Sequence, residues 1–246
     1  MKRQLFIATS IAAALAGCAP IGTKLNENTG FHKVLDSAEG LDKRIIGTHG
    51  LAKEYRPQDI SADFPLDSLP TPTSAYYTAI RKDGFHSYSL IVNGAVDRSH
   101  AFALAQLEKM ATARDITRHD CVEGWSAIAQ WDGVKLADVL AVVRPRADAR
   151  YVVFHCMDSD QQGSLYYESL SLEQAMHPQA LLALRMNGKP ITPDHGAPVR
   201  LRVPTQLGYK SAKWVHRIEV VASMHALYSG NGGYWEDQGY EWYAGI

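Results

Sequence analysis

The chain has 246 residues, with 25 Lys and Arg against 26 Asp and Glu, and 46% of its residues are hydrophobic. That length supports one substantial domain or two small ones, with a core that needs no staples; the balanced charge argues against a disordered chain and against nucleic acid as a partner. Three cysteines, Cys18, Cys121 and Cys156, include no close pair of the kind that opens a zinc ribbon or an iron–sulfur site, so each is read alone.

The first residues read MKRQLFIATSIAAALAGC: Lys2 and Arg3, an apolar run from Leu5 to Gly17, then Cys18. The run is too short to span a bilayer comfortably, so residues 1–17 are expected to be a secretory signal peptide. Its ending, Leu15-Ala16-Gly17-Cys18, resembles the lipobox of bacterial lipoproteins, in which the cysteine is acylated and becomes the first residue. A signal cleaved nearby with an incidental cysteine is the alternative. Either reading exports the chain to the periplasm, and the first anchors it to the membrane through lipidated Cys18. Lys2-Arg3-Gln4-Leu5-Phe6 also looks like a weakened twin-arginine signal, yet serves general secretion equally well. Residues 18–55 are taken as lipoprotein tether and wrapping arm, and 56–246 as one domain.

Between 19 and 75 the chain shows little periodicity, and Pro65, Pro70 and Pro72 predict an extended or looped course. Tyr88, Leu90 and Val92 then alternate ahead of Gly94, which predicts a strand. Leu104, Leu107 and Met110 predict a short helix, and Leu136, Val139, Leu140 and Val143 a second, ended by Pro145. Tyr151 to Phe154 is a compact β-branched and aromatic run, hence a buried strand, and Leu172, Ala175 and Met176 mark a helical turn or two before Pro178. Further strands are expected near 199–203 and 214–221. In the first of these, a period of two sends Val199, Leu201 and Val203 to one side and Arg200 and Arg202 to the other. Short strands and short helices without regular βαβ spacing predict an α+β fold. The final stretch concentrates Tyr228, Tyr234, Trp235, Tyr240, Trp242 and Tyr243. These rings either seal the chain end against the domain or form a partner surface or substrate entrance.

The familiar enzyme fingerprints, a nucleophile elbow, HExxH, a P-loop or GxGxxG, do not occur. Cys121 stands in the setting Arg118-His119-Asp120-Cys121-Val122-Glu123-Gly124-Trp125. The neighbouring Arg and His would favour a thiolate suited to a soft metal or an electrophile, and a buried structural thiol is the alternative. A second cluster runs from His195 through Arg200 and Arg202 to Lys210, Lys213, His216 and Arg217, with Asp194 and Glu219 the only acids nearby. It is either a solvated positive face or a seat for an anionic cofactor or substrate, since arginine supplies a planar fork and glycine admits close backbone approach.

Three segments, CVEGW at 121–125, HGAPVR at 195–200 and GYKSAKW at 208–214, resemble the molybdopterin-binding domain of the sulfite oxidase family. The likeness is greatest to its bacterial branch, which contains the periplasmic methionine sulfoxide reductase catalytic subunit, and it covers about residues 55–246. The resemblance implies a sulfite-oxidase-like fold with mixed short sheets and peripheral helices. It also implies one Mo-molybdopterin per chain, with Cys121 as the metal-ligating, catalytic thiolate beside a single pterin dithiolene. His195 and Arg200 match cofactor-contacting positions, as do Ser211, Ala212 and Lys213 around the phosphate. Cys156 stands where that branch has a threonine near the cofactor. There it either tunes the metal, oxidises, or fills the threonine's space. Tyr76 and Tyr77 fall in the stretch corresponding to the N-terminal cofactor-contacting loop. Arg118, Trp125, Arg202, Tyr209 and Lys210 are substrate or entrance candidates.

No cation follows Cys121 at the position where sulfite oxidases carry an arginine, and the chain ends soon after Tyr228, without length for their immunoglobulin-like dimerisation domain. The expected activity is therefore two-electron oxygen-atom transfer, reducing methionine sulfoxide or a related S- or N-oxide. Electrons would come from an external partner, a membrane haem protein or a soluble cytochrome. A sulfite-oxidising dehydrogenase and a non-catalytic cofactor-binding lipoprotein are the competing readings.

Overall fold

The computed structural model describes residues 50–159 and 163–246. The expected signal peptide, Cys18 and most of the tether lie outside the described residues. From residue 50 the chain runs extended along the protein apart from one 3-10 turn at Pro57–Asp59, donating Tyr55 N–H to the Ile116 carbonyl (2.8 Å) and Ser61 N–H to the Ile128 carbonyl (2.9 Å). The prolines maintain this course only as far as Ser74. There the Ser74 hydroxyl caps the Tyr77 N–H and starts α1 (Ala75–Lys82), so Tyr76 and Tyr77 are helical, where the sequence suggested a loop.

Two five-stranded sheets follow. The first has the order β2 (His100–Ala103), β1 (Ser89–Gly94), β10 (Val215–Val221), β5 (Tyr151–Ser159), β6 (Leu165–Ser171), with only the β1–β10 pair parallel. Leu90 and Val92 of β1 are fully buried, as their alternation requires. The second sheet has the order β3 (Ala113–Asp120), β4 (Ser126–Lys135), β7 (Leu181–Met186), β8 (Lys189–Pro190), and β9 (Arg200–Arg202) also pairs with β7. Helices α2 (Leu104–Met110), α3 (Leu136–Val143) and α4 (Leu172–Ala175) link the strands. The fold is α+β, as expected.

The larger core joins the first sheet, α1, α3 and the apolar side of β9, where Val199, Leu201 and Val203 are buried. A smaller core lies around Trp131 with Phe64, Ala129, Leu181, Ala183 and Ala197. Strand β4 leads to both. A bulge between Asp132 and Gly133 re-registers it against β7, and a Cβ on Gly133 would stand 2.0 Å from the Leu182 carbonyl oxygen, so only glycine permits this approach. The tail rings pack on the body: Tyr228 stacks on Tyr167 at 3.8 Å, Tyr234 on Tyr166 at 5.4 Å, and Trp242 meets Tyr151 edge-on at 5.7 Å. Trp242 Nε1 also donates to the Ser169 hydroxyl (2.8 Å).

Candidate active site

Strands β3 and β4 form a hairpin whose connection carries Cys121. The Gly124 N–H donates to the Cys121 carbonyl (3.1 Å), the Cys121 N–H donates to the Trp125 carbonyl (2.9 Å), and Gly124 takes the left-handed conformation (φ +90°) that closes the loop. Cys121 is thereby presented, half-buried and free of any disulfide, to a cleft of ≈ 490 Å³. The extended N-terminal segment supplies Asp67, Ser68 and Leu69 to the same cleft. Strand β5 supplies Asp158, β6 Tyr166, the turn before β10 Gly208, Tyr209, Ser211, Ala212 and Lys213, and the tail Trp235.

The surroundings of Cys121 differ from those inferred from its neighbours in sequence. Arg118 is exposed on the outer face of β3 and pairs with Asp120 (2.9 Å). His119, on the inner face, is buried and held neutral, its pKa pushed well down by burial and by Arg202, Arg200 and Lys213. Its Nδ1 accepts from Arg202 Nη1 (2.7 Å). Burial, with smaller contributions from Glu123 and Asp67, raises the Cys121 thiol above its ordinary pKa. The two adjacent cations therefore do not create a thiolate here, because one faces water and the other is neutral.

The arginines of β9 share a side, as the period of two requires, but that side is not solvated. Their guanidinium carbons lie over the Trp131 ring, Arg200 at 5.4 Å and Arg202 at 4.7 Å from its centroid. Arg202 is pulled down to about 9 by burial, and donates to His119 and to the Ser211 hydroxyl (3.2 Å). Arg200 donates from Nη1 to the His195 carbonyl (3.1 Å), while its buried Nε has no partner. Lys213 pairs with Asp67 (2.5 Å), and burial lowers its pKa. Asp158 is pushed up to about 7, again by burial first, and its Oδ1 is buried without a partner. Lys213 in the cleft's lining, and Arg200 and Arg202 buried close to it, thus concentrate positive charge on one side of the cleft, with Asp67 as the single carboxylate paired to it among the described residues. Burying such charge without an anion is costly, so the arrangement suits a phosphate-bearing ligand.

The other residues singled out from sequence are placed as follows. Cys121, Tyr209, Ser211, Ala212 and Lys213 line the cleft together. His195 is held nearby between Thr192 Oγ1 (2.8 Å) and the Phe64 carbonyl (3.2 Å), and Trp125 packs edge-on to Phe64 at 5.7 Å. Cys156 is buried in the main core, where burial raises its thiol pKa. Tyr76 is exposed, and Tyr77 is buried, donating its hydroxyl to the Ala197 carbonyl (3.0 Å). Lys210 faces away from solvent, bound to Glu168 and to Glu236 (2.6 Å). Sequence reasoning missed Asp67, Ser68, Leu69, Asp158 and Tyr166, whereas Trp235, one of the tail rings offered as a substrate entrance, does line the cleft. His119 alone carried a signal, its place on the buried phase of β3 beside Asp115 and Thr117. Among the described residues, no group of three or more His, Cys, Asp and Glu side chains could hold a metal.

Comparison with known proteins adds to this geometry. The family model for the oxidoreductase molybdopterin binding domain matches residues 77–228, more than half of the chain. The YedZ1 protein of Azospira oryzae, provisionally assigned as a protein-methionine-sulfoxide reductase subunit, is 38% identical over 195 residues, 78% of this chain and 70% of its own length. The protein-methionine-sulfoxide reductase catalytic subunit MsrP of Xanthomonas campestris pv. campestris is 37% identical over 147 residues, 56% of this chain. The match spans only 46% of that relative. The sulfane dehydrogenase SoxCD from Paracoccus pantotrophus has a similar fold, with a TM-score of 0.51 at 20% identity over 72% of this chain and 46% of that one.

Proposed function

The chain belongs to the molybdopterin-binding oxidoreductase family, and on that premise we propose that it is an exported enzyme that removes the oxygen atom from methionine sulfoxide or a related S- or N-oxide. The observation that carries this reading is a free thiol lining a cleft together with Lys213, with two buried, under-paired arginines, Arg200 and Arg202, close behind that lining. In this reading Cys121 is the protein's ligand to molybdenum, and the remaining ligands belong to the cofactor. That requirement agrees with a site offering one thiol rather than a cluster of ligands. When bound, the cofactor supplies the metal and dithiolene that exchange an oxygen atom and two electrons.

The chain's own residues bind, orient and shield. Arg200, whose Nε has no partner in the protein, would hold the cofactor phosphate together with Ser211, Ala212 and Lys213. Neutral His119 holds Arg202 in place without adding charge. Leu69, Val122, Tyr209 and Trp235 limit water at the entrance. The names carried by YedZ1 and MsrP support methionine sulfoxide as the substrate. Periplasmic location, anchoring through lipidated Cys18, and electron supply by a membrane haem protein or soluble cytochrome complete the proposal.

The test is molybdenum and pterin analysis of protein from a cofactor-competent host, then turnover with methionine sulfoxide and a reduced artificial donor, against sulfite with an artificial acceptor. Stoichiometric metal and pterin with sulfoxide reduction are expected, and Cys121→Ala should abolish turnover. Dominant sulfite oxidation would move the protein to the dehydrogenase reading. Absence of both metal and pterin would leave only a binding role.

A further inference from the structure

The cleft is charged in opposite senses on its two sides. Its buried side carries Lys213, with Arg202 behind the lining residues His119 and Ser211 and Arg200 beside it over Trp131, whereas its exposed side carries Glu123, two residues beyond Cys121. Glu123 is exposed, yet its carboxylate is held in one place. Oε1 accepts from the Ser68 N–H (2.9 Å) and Oε2 from Trp125 Nε1 (3.3 Å). Both donors are neutral, and Lys213, the cation that also acts on this carboxylate, is itself paired with Asp67, so the position of the charge is fixed without a salt bridge to cancel it. The cations expected from sequence to serve the entrance are committed elsewhere: Arg118 to Asp120 on the outer face, Arg202 beneath His119, and Lys210 to Glu168 and Glu236 in the interior. Of the neighbouring lining residues, Val122, Leu69 and Ser68 are uncharged, and Asp67 is paired with Lys213.

We propose that Glu123 is a specificity-determining residue, a fixed negative charge at the mouth that admits neutral sulfoxides, such as methionine sulfoxide within a peptide, and disfavours anionic ones. This rests on the oxo-transfer reading above. Across a few ångströms of partly solvated cleft, repulsion of one negative charge alters relative access by about three- to tenfold. The effect fades in salt.

The first experiment compares kcat/KM of the holoenzyme for the neutral N-acetylmethionine sulfoxide methylamide and the anionic N-acetylmethionine sulfoxide. The ratio should favour the neutral compound, shift toward the anion by about three- to tenfold in Glu123→Gln, shift further in Glu123→Lys, and be retained in Glu123→Asp. The second needs no turnover. In the full chain produced without cofactor, alkylation of Cys121 by neutral iodoacetamide and anionic iodoacetate is followed by mass spectrometry of the Cys121 peptide. Cys156 is buried and lies on a different part of the chain. Any change in thiolate fraction affects both reagents equally and cancels in their ratio, so Glu123→Gln should raise iodoacetate relative to iodoacetamide by a similar factor. If neither sulfoxide is reduced, the oxo-transfer reading fails, and the alkylation ratio alone decides for or against the charge filter. A ratio unchanged by Glu123→Gln overturns the filter even in an active enzyme.

Discussion

Replacing Lys210 by methionine removes the cation between two carboxylates that have no access to water. The Lys210 and Glu236 side chains are each 1% exposed, and that of Glu168 is 0%. Oε2 of each glutamate already lacks a partner. Removing one member of a buried ion pair typically costs about 3–5 kcal/mol, because the charge left behind keeps its desolvation penalty and loses its compensation. Here two carboxylates are left, so the upper part of that range is expected, a large share of a total stability of about 5–15 kcal/mol. For a domain of this size the loss corresponds to a fall in Tm of roughly 6–20 °C. The pH dependence has a definite sign. Burial raises the Glu168 pKa well above its ordinary value. The folded state therefore binds that proton more tightly than the unfolded state, and the associated stability is lost as pH rises above the ordinary glutamate range. Without Lys210 to oppose the effect, the variant's deficit should be larger at pH 8 than at pH 5. Guanidinium denaturation followed by tryptophan fluorescence at both pH values measures it, and Lys210→Met/Glu168→Gln/Glu236→Gln should recover much of the loss. A deficit under about 1 kcal/mol at pH 8, or one larger at pH 5, would refute the account of the triad.

Three further expectations concern the site and its support. Arg200→Met should leave the cofactor-free fold as stable as the parent or more so, since it removes a buried charge with an unpartnered Nε, while lowering molybdenum retained per chain; equal retention on gel filtration would count against a phosphate contact. Gly133→Ala forces a Cβ to 2.0 Å from Leu182 O and 2.8 Å from Ala183 Cα, and both are backbone atoms of β7. A loss of more than about 4 kcal/mol is expected, read as failed soluble expression or a collapsed denaturation midpoint. Asp115, on the buried face of β3, is pushed up to about 6 by burial, so its contribution to stability is present below pH 4 and is lost as pH rises through 6. Asp115→Asn should remove roughly 2–3 kcal/mol of that pH-dependent loss and flatten stability between pH 4 and 7, as measured by urea titration. An undiminished slope would show that another group carries it.

Much of the molecule could be read from local pattern. The alternation at Tyr88, Leu90 and Val92, the three-residue spacing at Leu104, Leu107 and Met110, and the apolar stripe from Leu136 to Val143 each encode an element whose buried face is set by its own period. The shared side of Arg200 and Arg202 follows from the same geometry. Strands β3, β4 and β7 escaped because they mix charged, small and apolar residues, and burial there depends on the neighbouring strand rather than on a local repeat. The start of α1 escaped because three prolines dominate the approach, while the cap is a single Ser74 hydroxyl.

The sequence by itself determined the class of fold, the family, and the chemical character of the site: one thiol at Cys121 and a cluster of cations a long way down the chain. Only the tertiary structure decided what each charge faces. Arg118 and His119 flank Cys121 in sequence, but strand alternation turns one to water and buries the other beside Arg202, so neither activates the thiol. Lys210 and Lys213 stand three residues apart in one turn, yet one is locked into the interior and the other reaches Asp67 across the cleft. Asp67, Asp158 and Trp235 meet at one cleft from segments far apart in the chain, and proximity of that kind leaves no local pattern. A charge acts through distance, burial and partners, and those are properties of the folded chain.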